Sequence, residues 1–221
     1  MPPRPRRLRD PEATRRALVA HATVLFAEHG YEGTSLEAVV SAAGVTKGAV
    51  YHHFTGKREL FEAVFVQVEN DMVRDVRTHA STESAEARTV SGLRHFMTYA
   101  RDPRYRQIVL ADGPSVLGDR AQDPSRSPIY PSMVRTVHRL LPDWDLSPAS
   151  AEVLARLLLA LVHSAASAAS GAGLGAEPDE GTAERCTAHA EEAVLLVFSA
   201  LHDAGRTHPD AASAITATFA G

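Results

Sequence analysis

One stretch of the sequence limits the possible folds more than any other feature. Residues 35–54 predict two short helices joined by a tight turn. Apolar residues recur at helical spacing in the first half, Ser35 precedes them as an N-cap, and Gly44 suits the left-handed conformation of a C-terminal cap. Thr46 offers the next N-cap. Helices joined by so short a turn cross each other, which is typical of the helix-turn-helix motif that places its second helix in the DNA major groove.

The second helix of this pair has an outward-facing side that suits a DNA groove. We expect the outward-facing residues to be Lys47, Ala49, Tyr51 and His52. A lysine there can reach guanine or a phosphate, an alanine can touch a thymine methyl group, and a tyrosine hydroxyl can donate to a phosphate oxygen. Gly48 is unfavourable by about 1 kcal/mol relative to alanine in a helix interior, which favours a close approach to its backbone. Taken singly, Gly48 could equally be a tolerated defect and Tyr51 a half-buried core residue.

Several short motifs occur together between residues 11 and 60. They are LFAEHGY at 25–31, TS at 34–35, AGV at 43–45, Gly48, YHHF at 51–54 and Lys57. Together they resemble the N-terminal DNA-binding domain of TetR-type transcriptional regulators, the TetR/AcrR family. The resemblance implies an all-α protein with an N-terminal three-helix helix-turn-helix DNA-binding domain and a C-terminal helical ligand-binding and dimerisation domain.

The same resemblance implies roles for particular residues and partners. Lys47, Gly48 and Ala49 would face bases, and the residues that would hold phosphates are Ser35, Thr46, Tyr51, His52 and Lys57. The partners would be a palindromic double-stranded DNA operator, a small-molecule effector and a second copy of the chain. Base-facing positions differ among such proteins, so the operator sequence does not follow from the resemblance.

We divide the sequence into three parts. Residues 1–10 predict a flexible basic arm, 11–58 the helix-turn-helix DNA-binding domain, and 59–221 the ligand-binding and dimerisation domain. The arm would either neutralise phosphates or remain a solvated tail. The net charge is −4, but residues 1–60 hold nine Lys or Arg against six Asp or Glu, so that part carries +3 and the remainder −7. Positive charge thus lies where DNA binding is predicted.

A candidate ligand site is the least constrained feature of the C-terminal part. Its apolar lining with a few polar groups would come from Phe96, Met97, Tyr99, Met133, His138, Trp144 and His163. Each of these, taken singly, is more often a core residue than a ligand contact. His163 lies in the most apolar predicted helix, where a histidine needs a hydrogen-bond partner. The expected effector is a small apolar or amphipathic molecule.

The most apolar helix is predicted over residues 149–170. It is long enough to span a bilayer. Glu152 and Arg156 interrupt it, however, and no aromatic belts flank it, so we expect no membrane contact. A loop is predicted over 171–183 and a last amphipathic helix over 184–202. The resemblance implies that the last two helices form a four-helix dimer interface; without it, the pattern indicates only that they are buried.

The sequence shows no pattern typical of an enzyme or of a metal or cofactor site. No glycine-rich phosphate loop follows a strand, and no paired cysteines or His-x-x-x-His spacing occur. A single cysteine, Cys186, and the absence of a signal-like segment favour the cytoplasm. From the helix-turn-helix pattern and the resemblance to TetR-type regulators, we expect a sequence-specific transcriptional regulator, a repressor released from its operator by ligand. The alternatives are an activator, or a helical ligand-binding or scaffold protein without specific DNA readout.

Overall fold

The computed structural model consists of α-helices, one π-helix and their connections over the residues it describes. These are residues 11–80, 82, 84–118, 121, 127–142, 144–169 and 180–207. The helices are α1 (Pro11–Gly33), α2 (Leu36–Ala43), α3 (Lys47–His53), α4 (Lys57–His79), α5 (Ala85–Tyr99), a π-helix (Tyr105–Asp112), α6 (Gly113–Leu117), α7 (Tyr130–Leu140), α8 (Pro148–Ala169) and α9 (Glu180–Thr207). The all-α class predicted from the sequence is confirmed, and the predicted arm at residues 1–10 lies outside the described residues.

The chain forms two compact units. The N-terminal unit comprises Met1–Val68 and Pro103–Ala121, and the C-terminal unit comprises Glu69–Asp102 and Gln122–Gly221. Helix α4 therefore contributes to both units. The segment Pro103–Ala121, which the sequence analysis placed in the C-terminal domain, packs with the N-terminal unit. The functional boundary between residues 58 and 59 remains a prediction.

The capping predictions for the helix-turn-helix motif are confirmed. The Ser35 hydroxyl accepts a hydrogen bond from the Ala38 backbone N–H at 3.1 Å, and the Thr46 hydroxyl accepts one from the Ala49 N–H at 3.3 Å. Gly44 ends α2 in the left-handed conformation, with φ of 63°. These local bonds satisfy backbone donors that a helix start leaves without partners. The caps themselves are formed by neighbouring residues, while α2 and α3 also pack on α1.

The regular helical geometry of α1 is interrupted at Gly30. Gly30 has φ of 67° and ψ of 176°, so the chain kinks there, and a final turn continues to Gly33. The carboxylate of Asp112 accepts a hydrogen bond from the Tyr31 backbone N–H at 2.7 Å and another from the Gln107 side-chain amide at 3.0 Å. A Cβ atom at position 30 would lie 3.2 Å from that amide nitrogen. Both the backbone angle and the close approach thus explain glycine at this position.

An aromatic cluster forms the centre of the N-terminal unit. The Phe26, Tyr31 and Phe61 rings lie with their centroids 5.1 to 6.0 Å apart. Offset and edge-to-face aromatic pairs at this spacing are favourable beyond the area they bury. At Gly113 a Cβ atom would lie only 2.6 Å from the Phe65 ring, so the start of α6 sits directly against α4. Apolar packing therefore holds the segment Pro103–Ala121 within this unit.

The C-terminal unit differs from the sequence prediction in two places. Helix α9 begins at Glu180, within the loop predicted over 171–183. Helix α8 was expected to be buried, but Val153 and Leu157 are 56% and 60% exposed in the single chain. By length and composition alone, residues 148–168 could cross a membrane, and 28% of that apolar window is buried. The apolar pattern of α8 therefore includes side chains that remain exposed to solvent in a single chain.

Glu69 is a buried carboxyl group in the C-terminal unit. Its side chain lies on α4 and is only 1% exposed. Burial raises the pKa of Glu69 to about 8, against a smaller opposing effect of the Ser127 hydroxyl. Because desolvation disfavours the charged form, this carboxyl group is mainly protonated in the folded protein at neutral pH.

Glu69 should make the protein less stable as the pH rises. Between the ordinary glutamate pKa of 4.5 and about 8, the unfolded chain has lost a proton that the folded chain keeps. The free energy of unfolding should then fall by up to about 1.4 kcal/mol per pH unit. Glu69→Gln, which is neutral at every pH, should flatten this dependence and be more stable than the wild type near pH 8.

Urea denaturation across this pH range measures the effect. Glu152→Gln is the control, because Glu152 is an exposed carboxyl group on α8, and it should keep the wild-type pH dependence. Parallel stability profiles for the wild type and Glu69→Gln would contradict the prediction.

Candidate nucleic-acid interface and ligand cavity

Helix α3 presents the outward-facing side chains expected from the sequence. Lys47, Gly48 and His52 are exposed, Tyr51 is 51% exposed, and Ala49 is half-buried. On the opposite side, Val50 and Phe54 are buried in the N-terminal unit. The division between a buried apolar side and an exposed polar side leaves one accessible face of about two turns. An exposed helical face of this size fits the width of a major groove.

Ser35 and Thr46 are exposed at the starts of the two helices of the motif. Their oxygens already accept hydrogen bonds from backbone N–H groups. A hydroxyl group that accepts one hydrogen bond can still donate its own hydrogen. Both side chains can therefore serve as helix caps and, at the same time, donate to an external acceptor such as a phosphate oxygen.

Lys47 is held by an acidic side chain that the sequence analysis did not single out. Its Nζ atom lies 2.7 Å from Glu37 Oε1, and both side chains are mostly exposed. This hydrogen bond raises the pKa of Lys47 and lowers the pKa of Glu37. An exposed ion pair contributes little to stability. A phosphate or a guanine edge can therefore replace Glu37 as the partner of Lys47 at small cost.

Lys57 has two partners within the N-terminal unit. Its Nζ atom donates to the Tyr31 backbone carbonyl at 2.9 Å and lies 4.1 Å from the centroid of the Tyr31 ring. A carbonyl bond and a cation–π contact together orient the ammonium group. Lys57 thus links the start of α4 to the last turn of α1, and its proposed phosphate contact remains a prediction.

The backbone around Gly48 is open. No atom lies within 4 Å of the position that a Cβ atom would occupy there. The backbone angles are helical, so the fold does not require glycine at this position. The explanation for glycine therefore has to come from outside the single chain or from chance.

The C-terminal unit contains a cavity of about 700 Å³. Residues of α4, α5, α7, α8 and α9 line it. Among the residues predicted from the sequence, Phe96, Met133 and His138 lie together in its wall. Met97, Tyr99, Trp144 and His163 are not among the described residues that line it. Met97 is instead 1% exposed in the core, where its side chain packs against protein.

His163 lies next to the cavity wall. Its ring stacks on Phe96, with centroids 6.4 Å apart, and Phe96 itself faces the cavity. Burial lowers the pKa of His163 to about 4. The imidazole is therefore neutral at physiological pH and can act in this position as one donor and one acceptor.

The cavity wall also contains charged residues that the sequence analysis missed. They are Arg77, Arg88, Arg135 and Arg139. Arg135 and Arg139 are four residues apart on α7, so they share one helix face, and this spacing is a signal that the sequence does contain. No short sequence pattern indicates that α4 and α5 place two further arginines, Arg77 and Arg88, in the same cavity wall.

One group of side chains in the C-terminal unit could bind a divalent cation. Asp75 and His79, one turn apart on α4, and His95 on α5 place one donor atom each within 4.8 Å of one another. His95 Nε2 is hydrogen-bonded to the Asp75 carboxylate, and the two imidazole rings stack with centroids 4.3 Å apart. Nitrogen and carboxylate donors of this kind suit zinc and related ions. No metal ligands were predicted from the sequence, because these three residues come from two helices and no short spacing relates all of them.

Two family profiles match the chain. The profile described as bacterial regulatory proteins of the tetR family matches residues 18–64. The profile described as a tetracyclin repressor-like C-terminal domain matches residues 87–196. The first match contains the helix-turn-helix motif, and the second contains most of the cavity-lining residues and the segment Pro103–Ala121.

Individual relatives agree with these matches. The TetC protein of transposon Tn10 from Escherichia coli is 27% identical over 148 residues, which cover 66% of this chain and 75% of the relative. A probable acrEF/envCD operon repressor from Escherichia coli K12 is 43% identical over 54 residues, 24% of each chain. The transcriptional repressor AcnR from Corynebacterium glutamicum is 41% identical over 54 residues, which cover 24% of this chain and 29% of the relative.

Solved structures support the same assignment. A TetR-family regulator from Pectobacterium atrosepticum superposes with a TM-score of 0.68 at 28% identity and covers 89% of this chain and 97% of its own. Such proteins regulate transcription and are not enzymes. The two profile matches, together with these relatives, show that the chain belongs to the TetR family and is a DNA-binding transcriptional regulator.

Proposed function

We propose that this regulator is a repressor that binds a palindromic operator as a homodimer and leaves it when a small molecule occupies the cavity. The observation that carries the proposal is the exposed face of α3, with Lys47 held only by an exchangeable ion pair. Two of the relatives that match the N-terminal unit are described as repressors. The base contacts would come from Lys47, Gly48 and Ala49, and the phosphate contacts from Ser35, Thr46, Tyr51, His52 and Lys57.

A homodimer would account for the exposed apolar side chains of α8 and α9. Leu157 on α8 is 60% exposed and Leu196 on α9 is 65% exposed, with Val153 and Val197 also accessible. Several large apolar side chains on two helices that pack on each other favour an interface. A two-fold axis would place one α3 helix in each of two half-sites, about one DNA turn or 34–36 Å apart.

Two parts of the chain, α4 and the segment Pro103–Ala121, connect the cavity-lining helices covalently to the N-terminal unit. Helix α4 begins in the N-terminal unit, and its residues Met72 and Val76 line the cavity in the C-terminal unit. The chain also passes from α5 through Pro103–Ala121 to α7, and both flanking helices line the cavity. That segment holds the kink in α1 through Asp112. An effector that moves α4, α5 or α7 would therefore change the elements that support α3, and DNA would oppose effector binding to the same extent.

Selection of bound duplexes from a random pool by the purified protein tests operator recognition. The wild type should enrich a palindrome. Lys47→Ala should relax the preference at one position of each half-site, with a loss of about 1–3 kcal/mol for the preferred base. Arg74→Ala is the control, because Arg74 also forms an exposed ion pair, with Asp71 at 2.8 Å, but lies on α4. It should enrich the same palindrome as the wild type.

A pool without any enriched sequence at low salt would contradict specific recognition. It would then favour a helical ligand-binding or scaffold protein. An enriched palindrome that Lys47→Ala leaves unchanged would contradict only the role of Lys47.

Gly48→Ala tests whether glycine at this position serves the stability of the fold or the binding of DNA. Because a Cβ atom fits at this position, the substitution should raise the free energy of unfolding by about 0.5–1 kcal/mol. If DNA approaches the backbone of α3, the same methyl group should weaken operator binding in a fluorescence anisotropy titration. Gly92→Ala is the control, since it lies in α5 and its Cβ would make an ordinary contact of 3.6 Å with Val76. Unchanged affinity of Gly48→Ala would show that its backbone is not approached.

Leu157→Glu tests the dimer interface. A carboxylate in the centre of an apolar interface would be desolvated without a partner, so the variant should dissociate to monomers in sedimentation velocity experiments. Val24→Glu is the matched control, because Val24 is 51% exposed on α1 and lies outside the proposed interface. It should remain dimeric. A wild-type monomer, or a Leu157→Glu dimer as stable as the wild type, would refute this interface.

A further inference from the structure

The cavity in the C-terminal unit combines an apolar interior with positive charge. Its cationic residues are Arg77, Arg88, Arg135 and Arg139. Arg77, Arg88 and Arg135 are exposed, whereas Arg139 is half-buried. Among the described residues that line the cavity there is no aspartate or glutamate. The described part of the lining therefore carries a net positive charge, and the exposed arginines indicate that much of this charge lies towards solvent.

Arg139 is the most constrained of these arginines. Burial lowers the pKa of Arg139, and repulsion by Arg88 and Arg135 lowers it further. The three guanidinium groups, from α5 and α7, are thus close enough to interact. Neighbouring like charges disfavour one another, and an anion bound among them would relieve this repulsion.

Arg139 also has an unused hydrogen-bond donor. One terminal nitrogen donates to the Thr136 hydroxyl at 2.7 Å. Its Nε atom is buried and has no hydrogen-bond partner within the described structure. A buried charged donor without an acceptor is costly. The planar fork of a guanidinium group matches a carboxylate or a phosphate, which would supply the missing acceptor once the side chain turns this donor towards the cavity.

The rest of the cavity suits the apolar part of a ligand. Its wall includes Met72, Leu93, Phe96, Leu159, Val162 and Phe198. A volume of about 700 Å³ is within the usual range for sites that hold a drug-sized molecule. A wholly apolar ligand would leave the Arg139 donor without a partner, and a cationic ligand would be repelled.

We propose that the effector is an amphipathic anion: its carboxylate, sulfonate or phosphate group binds Arg139 together with Arg88 and Arg135, and its apolar body lies among the aliphatic and aromatic side chains of the cavity. This inference rests on the proposed function, because it names the chemical class of the molecule that releases the operator. It also predicts that the protein binds such an anion in the absence of DNA.

Two fluorescent probes with the same ring system test the charge requirement. Anilinonaphthalene sulfonate and N-phenylnaphthylamine differ by the sulfonate group, and both are titrated into the full-length protein without DNA. The wild type should bind the sulfonate at least about tenfold more tightly, as expected for hydrogen bonds to a charged group. Arg139→Met and Arg88→Met should each lose most of this preference, while binding of the neutral probe should change little.

Control variants separate a specific charge site from general effects. Arg94→Met removes an arginine of α5 that forms an exposed ion pair with Glu191 at 3.0 Å and does not line this cavity, so the preference should persist. Arg139→Lys keeps the charge but not the planar fork and should give an intermediate preference. Thermal unfolding of Arg139→Met should show a folded protein at least as stable as the wild type, since a desolvated charge has been removed.

Competition identifies the headgroup. Decanoate and decyl phosphate should displace the sulfonate probe more effectively than decanol, and the better of the two anions indicates a carboxylate or a phosphate effector. Equal affinity for the two probes in the wild type, no binding of either probe, or a preference that survives both Arg139→Met and Arg88→Met would overturn the proposal. A protein that selects no operator but prefers the anionic probe would refute the repressor function and leave this site intact.

Discussion

The carboxylate of Asp112 holds the kink of α1 at Gly30, and the arrangement of the N-terminal unit depends on this interaction. Its hydrogen bond to the Tyr31 N–H joins residues 81 positions apart in the sequence. The kink turns Tyr31 towards Phe26 and Phe61, and Lys57 then binds both the ring and the carbonyl of Tyr31. A segment that belongs to the C-terminal family profile thus supports the element that precedes the DNA-binding helices.

The two proposed functional regions use charge in different ways. On α3, Lys47 is exposed and paired with Glu37, so exchanging this partner for DNA costs little and proceeds in water. In the cavity, Arg139 is partly desolvated, and its Nε donor has no partner within the described structure. An anion there gains more per hydrogen bond, because water competes less effectively. The proposed DNA-binding face therefore has exchangeable contacts, whereas the cavity contains a buried donor that lacks an acceptor within the described residues.

The parts of the structure that the sequence predicted are the ones set by neighbouring residues. The caps at Ser35, Gly44 and Thr46 are determined within four residues, and they occur as expected. The Asp112 bond and the arginine cluster bring together residues from different helices, and no short pattern encodes that convergence. Apolar side chains are equally ambiguous: Phe96 lines the cavity and Met97 beside it is core, because the direction in which each points depends on packing between helices.

In a dimer, two bound effector molecules would share the free energy that is needed to release the operator. Moving a regulator from almost fully bound to almost fully released requires a preference of about ten-thousand-fold for the released state, or about 5.5 kcal/mol. One hydrogen bond to a charged group contributes about 1.5–3 kcal/mol, which is too little alone. Two symmetric cavities provide about 3–6 kcal/mol if this bond forms fully only in the released state. With one such bond in each cavity, the proposed dimer would reach the required difference only at the upper end of this range and with both subunits occupied, and further bonds to Arg88 and Arg135 would lower that demand.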